Sequence, residues 1–332
     1  MKLNLIPQSS LLKFLLVIAL CISFNNKSQA SHAMGADFIY ECLGGNQYAL
    51  KLTFYRDCSG INAPASMPVA LNSASCGLTF NYTLPQVSFQ EISSTCPTAL
   101  STCQGGTEPG VEEYIYIDTV TIANQCSDWI FSFPHCCRNP SINNLLSPSS
   151  ENLYIESFLN NTGGVCNSSP VFSALGVPYV CDGILSNYNF AAFDPDGDSL
   201  TFSLVNSLGA AGVPIGYQVP YSPTYPIITT TGTVDFDTTN GQMSFTPLGL
   251  QVCVVTVLVE EYRAGVLIGS VMRDIQVLII NCAGNTPPEL SSGGMINVIN
   301  GTLIDTAHVE LCIGDSLQFD LVFDDINTLD TL

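Results

Sequence analysis

The chain has 332 residues, with 28 acidic side chains against eight Lys and Arg and a formal net charge of −20. That balance excludes DNA or RNA binding, which needs clustered Lys and Arg to neutralise phosphates. It does not indicate disorder, because 46% of the residues are hydrophobic and strand-like runs recur along the chain.

The N-terminus reads as an export leader. Lys2 and Lys13 supply positive charge, residues 14–22 are apolar, and Ser28-Gln29-Ala30 has a small-x-small cleavage pattern. Residues 1–30 are expected to be a signal peptide. The apolar run is too short for a bilayer, which takes about 20 residues. A lipoprotein signal ending at Cys21 is the rival reading, with Leu20 where a small residue normally stands. No later run reads as a membrane helix, and 252–259 has strand length. The expectation is a secreted or cell-surface chain without a transmembrane segment.

After residue 30 the only basic side chains are Lys51, Arg56, Arg138, Arg263 and Arg273. Such an acid excess suits divalent cations or simple solubility. Thirteen cysteines follow the leader, an odd number, and in an exported chain they are disulfide candidates first.

In chain order, segments 37–42, 48–55, 112–122, 129–133, 153–158, 200–205, 251–262, 266–280 and 316–323 are rich in β-branched and aromatic residues. Residues 43–47 and 263–265 read as hairpin turns. No stretch keeps a 3.6-residue period. The predicted fold is all-β, built of tandem immunoglobulin-like or cadherin-like β-sandwich domains.

A repeat divides the chain. Cys166-Asn167-Ser168-Ser169-Pro170 leads to Cys181 and an acidic stretch after Phe193. Cys282-Ala283-Gly284-Asn285-Thr286-Pro287 leads to Cys312 and an acidic stretch after Phe323. The leading cysteines, 166 and 282, are 116 residues apart, an ordinary sandwich length. Three units are expected: a cysteine-rich β domain over 31–165, a complete sandwich over 166–283, and the start of a truncated second repeat over 284–332. The chain then reads as the N-terminal piece of a longer protein. The repeat suggests disulfides Cys166–Cys181 and Cys282–Cys312.

Asp194-Pro195-Asp196-Gly197-Asp198 is the sharpest local signal. Carboxylates at i, i+2 and i+4 on a bent turn suit a hard cation such as Ca2+, which takes six to eight oxygens. The turn is not an EF-hand, and further oxygens would come from neighbours such as Asp182, Asp235 or Asn285. The rival reading is an ordinary acidic β-turn. Cys136-Cys137 beside His135 reads as two disulfides or one vicinal bridge rather than a metal cluster. Sequence motifs of nucleophilic, metalloprotease or nucleotide enzymes are missing. Glu112-Glu113 and Glu260-Glu261 are the nearest thing to a glycosidase pair, but neighbours on a strand face opposite sides. Tyr217, Tyr221 and Tyr225, interleaved with prolines, read either as a recognition loop or as a cover over the core edge.

Residues 31–37, Tyr40 to Asn46, Tyr55 to Gly60, Cys136 to Pro140 and Val259 to Arg263 resemble the start of gliding-motility-associated surface proteins of Bacteroidetes. Asp194 to Leu204, with 236–247, resembles cadherin-like or PKD-like immunoglobulin folds. The first resemblance implies export by a type IX system; the second implies a Ca2+ loop near a domain junction. The expected function is a non-catalytic structural or adhesion protein, Ca2+-stiffened at Asp194, Asp196 and Asp198, meeting a surface glycan or protein. The alternatives are a carbohydrate-binding module using the tyrosine loop, or the non-catalytic N-terminal part of a larger secreted enzyme.

Overall fold

The computed structural model describes residues 32–93, 100–174, 176–282, 289–305, 308–310 and 316–324. The expected leader and Cys312 lie outside them. The described residues contain no α-helix. The strands, in chain order, are β1 (Ala33–Gly44), β2 (Gln47–Asp57), β3 (Ser66–Ser73), β4 (Leu78–Glu91), β5 (Val111–Thr121), β6 (Trp129–His135), β7 (Leu153–Leu159), β8 (Val171–Phe172), β9 (Tyr179–Cys181), β10 (Ser186–Asn189) and β11 (Ala192–Phe193). There follow β12 (Ser199–Leu204), β13 (Leu208–Ala210), β14 (Val213–Pro214), β15 (Asp235–Phe236), β16 (Gln242–Phe245), β17 (Gln251–Arg263), β18 (Val266–Ile280), β19 (Glu289–Ile299), β20 (Thr302–Asp305), β21 (His308–Glu310) and β22 (Gln318–Asp324).

Two hairpin turns set long registers. Gly45 (φ 59°) and Asn46 (φ 64°) turn β1 into β2, and Ala264 (φ 50°) and Gly265 (φ 79°) turn β17 into β18. Positive φ at both central residues matches the twist of the flanking strands. A third device is Pro85. The first part of β4, Leu78 to Pro85, pairs with β3, and the rest, from Gln86 to Glu91, pairs with β5. Proline offers no N–H to a ladder, and β4 changes partner there.

These pairings close on themselves. The order β1-β2-β5-β4-β3-β6-β7 begins and ends on β18. One edge of β18 is paired along its length with β17. Its other edge is shared: Gly35, Ala36 and Asp37 of β1 pair with Ile275, Asp274 and Arg273, while Ser157, Phe158 and Leu159 of β7 pair with Val271, Ser270 and Gly269. Closure removes the exposed edges that an open sheet must protect. The interior is apolar and aromatic, with Phe38, Leu50, Phe54, Trp129, Phe131 and Ile155 buried. Tyr40 stacks on Phe131 at 4.9 Å between ring centroids.

The boundary expected at 165/166 does not separate two compact units. The chain divides instead into Met1–Ile279 and Ile280–Leu332. The physical reason is β18, which comes late in the chain yet carries both lips of the cycle. The Cys166-to-Pro170 stretch, expected to open the second unit, is a strap along β1. Ser169 N donates to Tyr40 O (2.9 Å), Tyr40 N to Ser169 Oγ (3.1 Å) and Cys42 N to Ser168 Oγ (3.2 Å).

Buried charges lie on the same closing strand. Arg138 grips Asp274 with two hydrogen bonds of 2.8 and 2.9 Å, and Thr256 Oγ1 donates to that carboxylate at 2.9 Å. Arg273 donates to Asp37 (3.1 Å) and to the Tyr55 hydroxyl (2.9 Å). Both pairs are almost wholly removed from solvent, so each charge needs its partner. In the second unit β19 pairs with β22 and β20 with β21, all antiparallel.

Candidate cation site

The acidic turn begins where β11 ends and delivers the chain into β12. Gly197, at φ 84°, takes a conformation that side chains avoid. Asp194 ties the turn together: its Oδ1 accepts from the backbone N–H groups of Asp196 and Asp198, both at 2.9 Å. Asp196 Oδ2 accepts from Ser168 N at 2.8 Å, which fixes the turn to the strap. Asp198 is gripped by Arg263 from the end of β17, with Nε 2.9 Å from Oδ1 and Nη2 bonded to Oδ2. The three carboxylates can offer oxygens within 4.8 Å of one another.

A fourth carboxylate stands beside them, outside that 4.8 Å group. Glu261 lies on β17 opposite Leu200 of β12 and Gly269 of β18. It is 0% exposed. Its Oε2 accepts from Asn167 Nδ2 at 2.9 Å, and Asn167 Oδ1 accepts from Arg263 Nη2 at 2.8 Å. Gly269 makes room: a Cβ there would run into Glu261 Oε2 and approach the Tyr40 hydroxyl to 2.9 Å. Glu261 Oε1 and Asp194 Oδ2 are buried without a hydrogen-bond partner. Burial, with the charge of Asp194 and the side-chain contact and charge of Asp198 added, pushes the Glu261 carboxyl up to about 8 despite the bond from Asn167. Burial also raises Asp194, whereas Arg263 holds Asp198 below the usual carboxylate range. The arrangement is four acids and one guanidinium, with two buried oxygens still unsatisfied. All donors are oxygens, as a hard cation prefers.

The Asp triad expected from sequence is therefore brought together, and Glu261 is a neighbouring acid that the turn alone does not reveal. Its available signal was the hairpin register that sets Glu261 against a glycine. Of the further oxygens proposed, Asp182 is used elsewhere, accepting from Gly249 N at 2.7 Å. Asp235 opens β15, and Asn285 lies outside the described residues.

The expected Cys166–Cys181 disulfide is corrected. Cys166 bonds Cys42, 124 residues away. The strap lies on β1, so the near partner in space is the far one in sequence. Cys58–Cys103, Cys76–Cys126 and a vicinal Cys136–Cys137 bridge are also present. Cys181 and Cys282 are disulfide-bonded, and the Cys282–Cys312 pairing falls outside the described residues. Cys253 is a buried free thiol.

The tyrosine loop is turned inward. Tyr217 OH meets Ser207 Oγ at 3.3 Å, Tyr221 OH donates to Gln251 at 3.2 Å, and Tyr225 OH accepts from Thr229 N at 3.1 Å. Those hydroxyls hold the loop on the fold rather than presenting a platform. Glu112 bonds Arg56, whereas Glu113 accepts from Gln90, so the two acids have separate partners. A cleft of about 160 Å3 beside Arg273 is lined by Asp37, Lys51, Tyr55 and Phe172 among others, but Arg273, Asp37 and Tyr55 already bond one another. Comparison with protein-family models, with curated proteins and with solved structures found no match to this chain.

Proposed function

We propose that this chain is a secreted or cell-surface structural and adhesion module of β-sandwich type, without catalysis of its own, in which the Asp194, Asp196 and Asp198 turn holds Ca2+. The observation that carries the reading is the covalent knitting of the fold. Cys42–Cys166, Cys58–Cys103 and Cys76–Cys126 span 124, 45 and 50 residues of sequence. Bridges of this kind persist in oxidising compartments outside the cytosol. The leader-like N-terminus and the acidic composition agree with export. The likeness to gliding-motility surface proteins points to the same location, and the cadherin-like likeness to the same cation.

Thiol labelling with and without reduction, combined with antibody labelling of intact and permeabilised cells, tests this. The expected result is labelling of intact cells. Without reductant, Cys253 alone among the described cysteines reacts, and only after denaturation. A cytosolic protein whose Cys42 and Cys166 label freely would end the reading.

A further inference from the structure

We infer that a single Ca2+ sits between the acidic turn and Glu261, and that it fastens the seam on which the strand cycle closes rather than a junction between domains. The inference rests on the Ca2+ reading above and adds a ligand and a mechanical role to it. The ligand is assigned by the two unsatisfied oxygens. Asp194 spends Oδ1 on the turn, and its Oδ2 is buried and unpartnered. Glu261 spends Oε2 on Asn167, and its Oε1 is buried and unpartnered.

Arg263 already neutralises Asp198 and stands 3.7 Å from Asp196. Asp194, half-buried with its Oδ2 enclosed, and the fully buried Glu261 receive no hydrogen bond from that guanidinium. Burial leaves such an acid either protonated or in need of a counter-charge, and a metal ion supplies the counter-charge. Among the described residues no sulfur or imidazole belongs to the acidic group. Oxygen donors on an irregular turn suit Ca2+, which tolerates flexible geometry and fills its shell with backbone carbonyls and water.

The position gives the role. Gly269 under Glu261 is also the residue of β18 that pairs with Leu159 of β7. Asn167, which holds both Glu261 and Arg263, belongs to the strap bonded along β1. The turn, the strap and the hairpin thus meet where β1, β7 and β18 meet. A cation joining Asp194 to Glu261 pins the β11–β12 turn to β17 and, through Asn167, to the edge of β1. It acts within one compact unit, so its stabilisation extends to the strands of the N-terminal half.

Calorimetric titration of the full chain with CaCl2, alongside melting curves in Ca2+ and in EDTA, tests the assignment. The variants are Glu261→Gln, Asp194→Asn and, as a control on an exposed strand position, Asp118→Asn. Wild type and Asp118→Asn should bind one Ca2+ per chain. Glu261→Gln and Asp194→Asn should bind at least tenfold more weakly. Glu261→Gln should melt below wild type in Ca2+ but at or above it in EDTA, because the amide relieves a buried acid. Amide exchange at Ser169 and at Gly269 to Val271 should slow on adding Ca2+ to wild type. If Glu261→Gln binds as tightly as wild type, the ion sits on the aspartates alone. The seam assignment then falls while the Ca2+ reading stands. If wild type gives no binding heat and no Ca2+-dependent melting shift, Glu261 is satisfied by a proton shared with Asp198, and both readings fall.

Discussion

Arg138 and Asp274 show how single residues carry this fold. Each side chain is at most 2% exposed, and they share a two-pronged bond. Removing one charge of such a pair costs about 3–5 kcal/mol, because the other stays buried. Asp274→Asn should therefore lower the melting temperature by roughly 10 °C in a unit of this size, measured by circular dichroism. His135 gives a pH signature. It packs against Phe54 and Phe133 with Nε2 buried and unpartnered. Burial disfavours its charged form and lowers its pKa. The unfolded chain then takes up the proton first, so stability is full above the ordinary imidazole value near 6.5 and declines as pH falls below it. His135→Phe should flatten the slope between about pH 5 and 6.5 in urea melts recorded across that range.

Among the elements, the longest strands were legible in the sequence because both propensity and turn chemistry marked them. β1, β2, β17 and β18 carry dense apolar and β-branched runs bounded by Gly45-Asn46 and Ala264-Gly265. β3 and β4 were not legible. Pro68 and Pro85 interrupt them, and β4, which serves two partners in turn, is exposed at most positions. The repeat misled for a related reason. Its Cys-Asn-Ser-Ser-Pro run has the composition of a linker, and only pairing to Tyr40 and Cys42 makes it a strap. The acidic turn was legible as a motif, but Glu261 was not, since its role depends on Gly269 across a hairpin. That hairpin also holds a correctable strain. Ala264 sits at φ 50°, where a Cβ costs about 1–2 kcal/mol. Ala264→Asn should recover part of that and raise the melting temperature by roughly 2–4 °C. Gly269→Ala should do the reverse, since the new methyl meets Glu261 and Tyr40, with a loss of about 1–3 kcal/mol seen in the same melts.

On the scale of the molecule, the shared sheet predicts cooperative behaviour. Separate sandwiches over 33–165 and 166–280 would melt as two transitions. One sheet through both, pinned by Cys42–Cys166, should melt the 32–279 unit in one calorimetric transition. Replacing both of these cysteines by serine should cost about 2–5 kcal/mol while leaving that transition single.

The late arrival of β18 has a consequence for how the chain is made. Gly35 waits for Ile275, and Leu159 waits for Gly269. Until the ribosome has added those residues, the first seven strands have two bare lips and no template to seal them. Non-local pairing of this kind folds slowly and leaves sticky edges in the meantime. A chain stopped at residue 265 should therefore sediment as aggregate on expression, whereas one stopped at 282 should stay in the supernatant. Biogenesis, rather than the finished structure, is where this architecture is most exposed to failure.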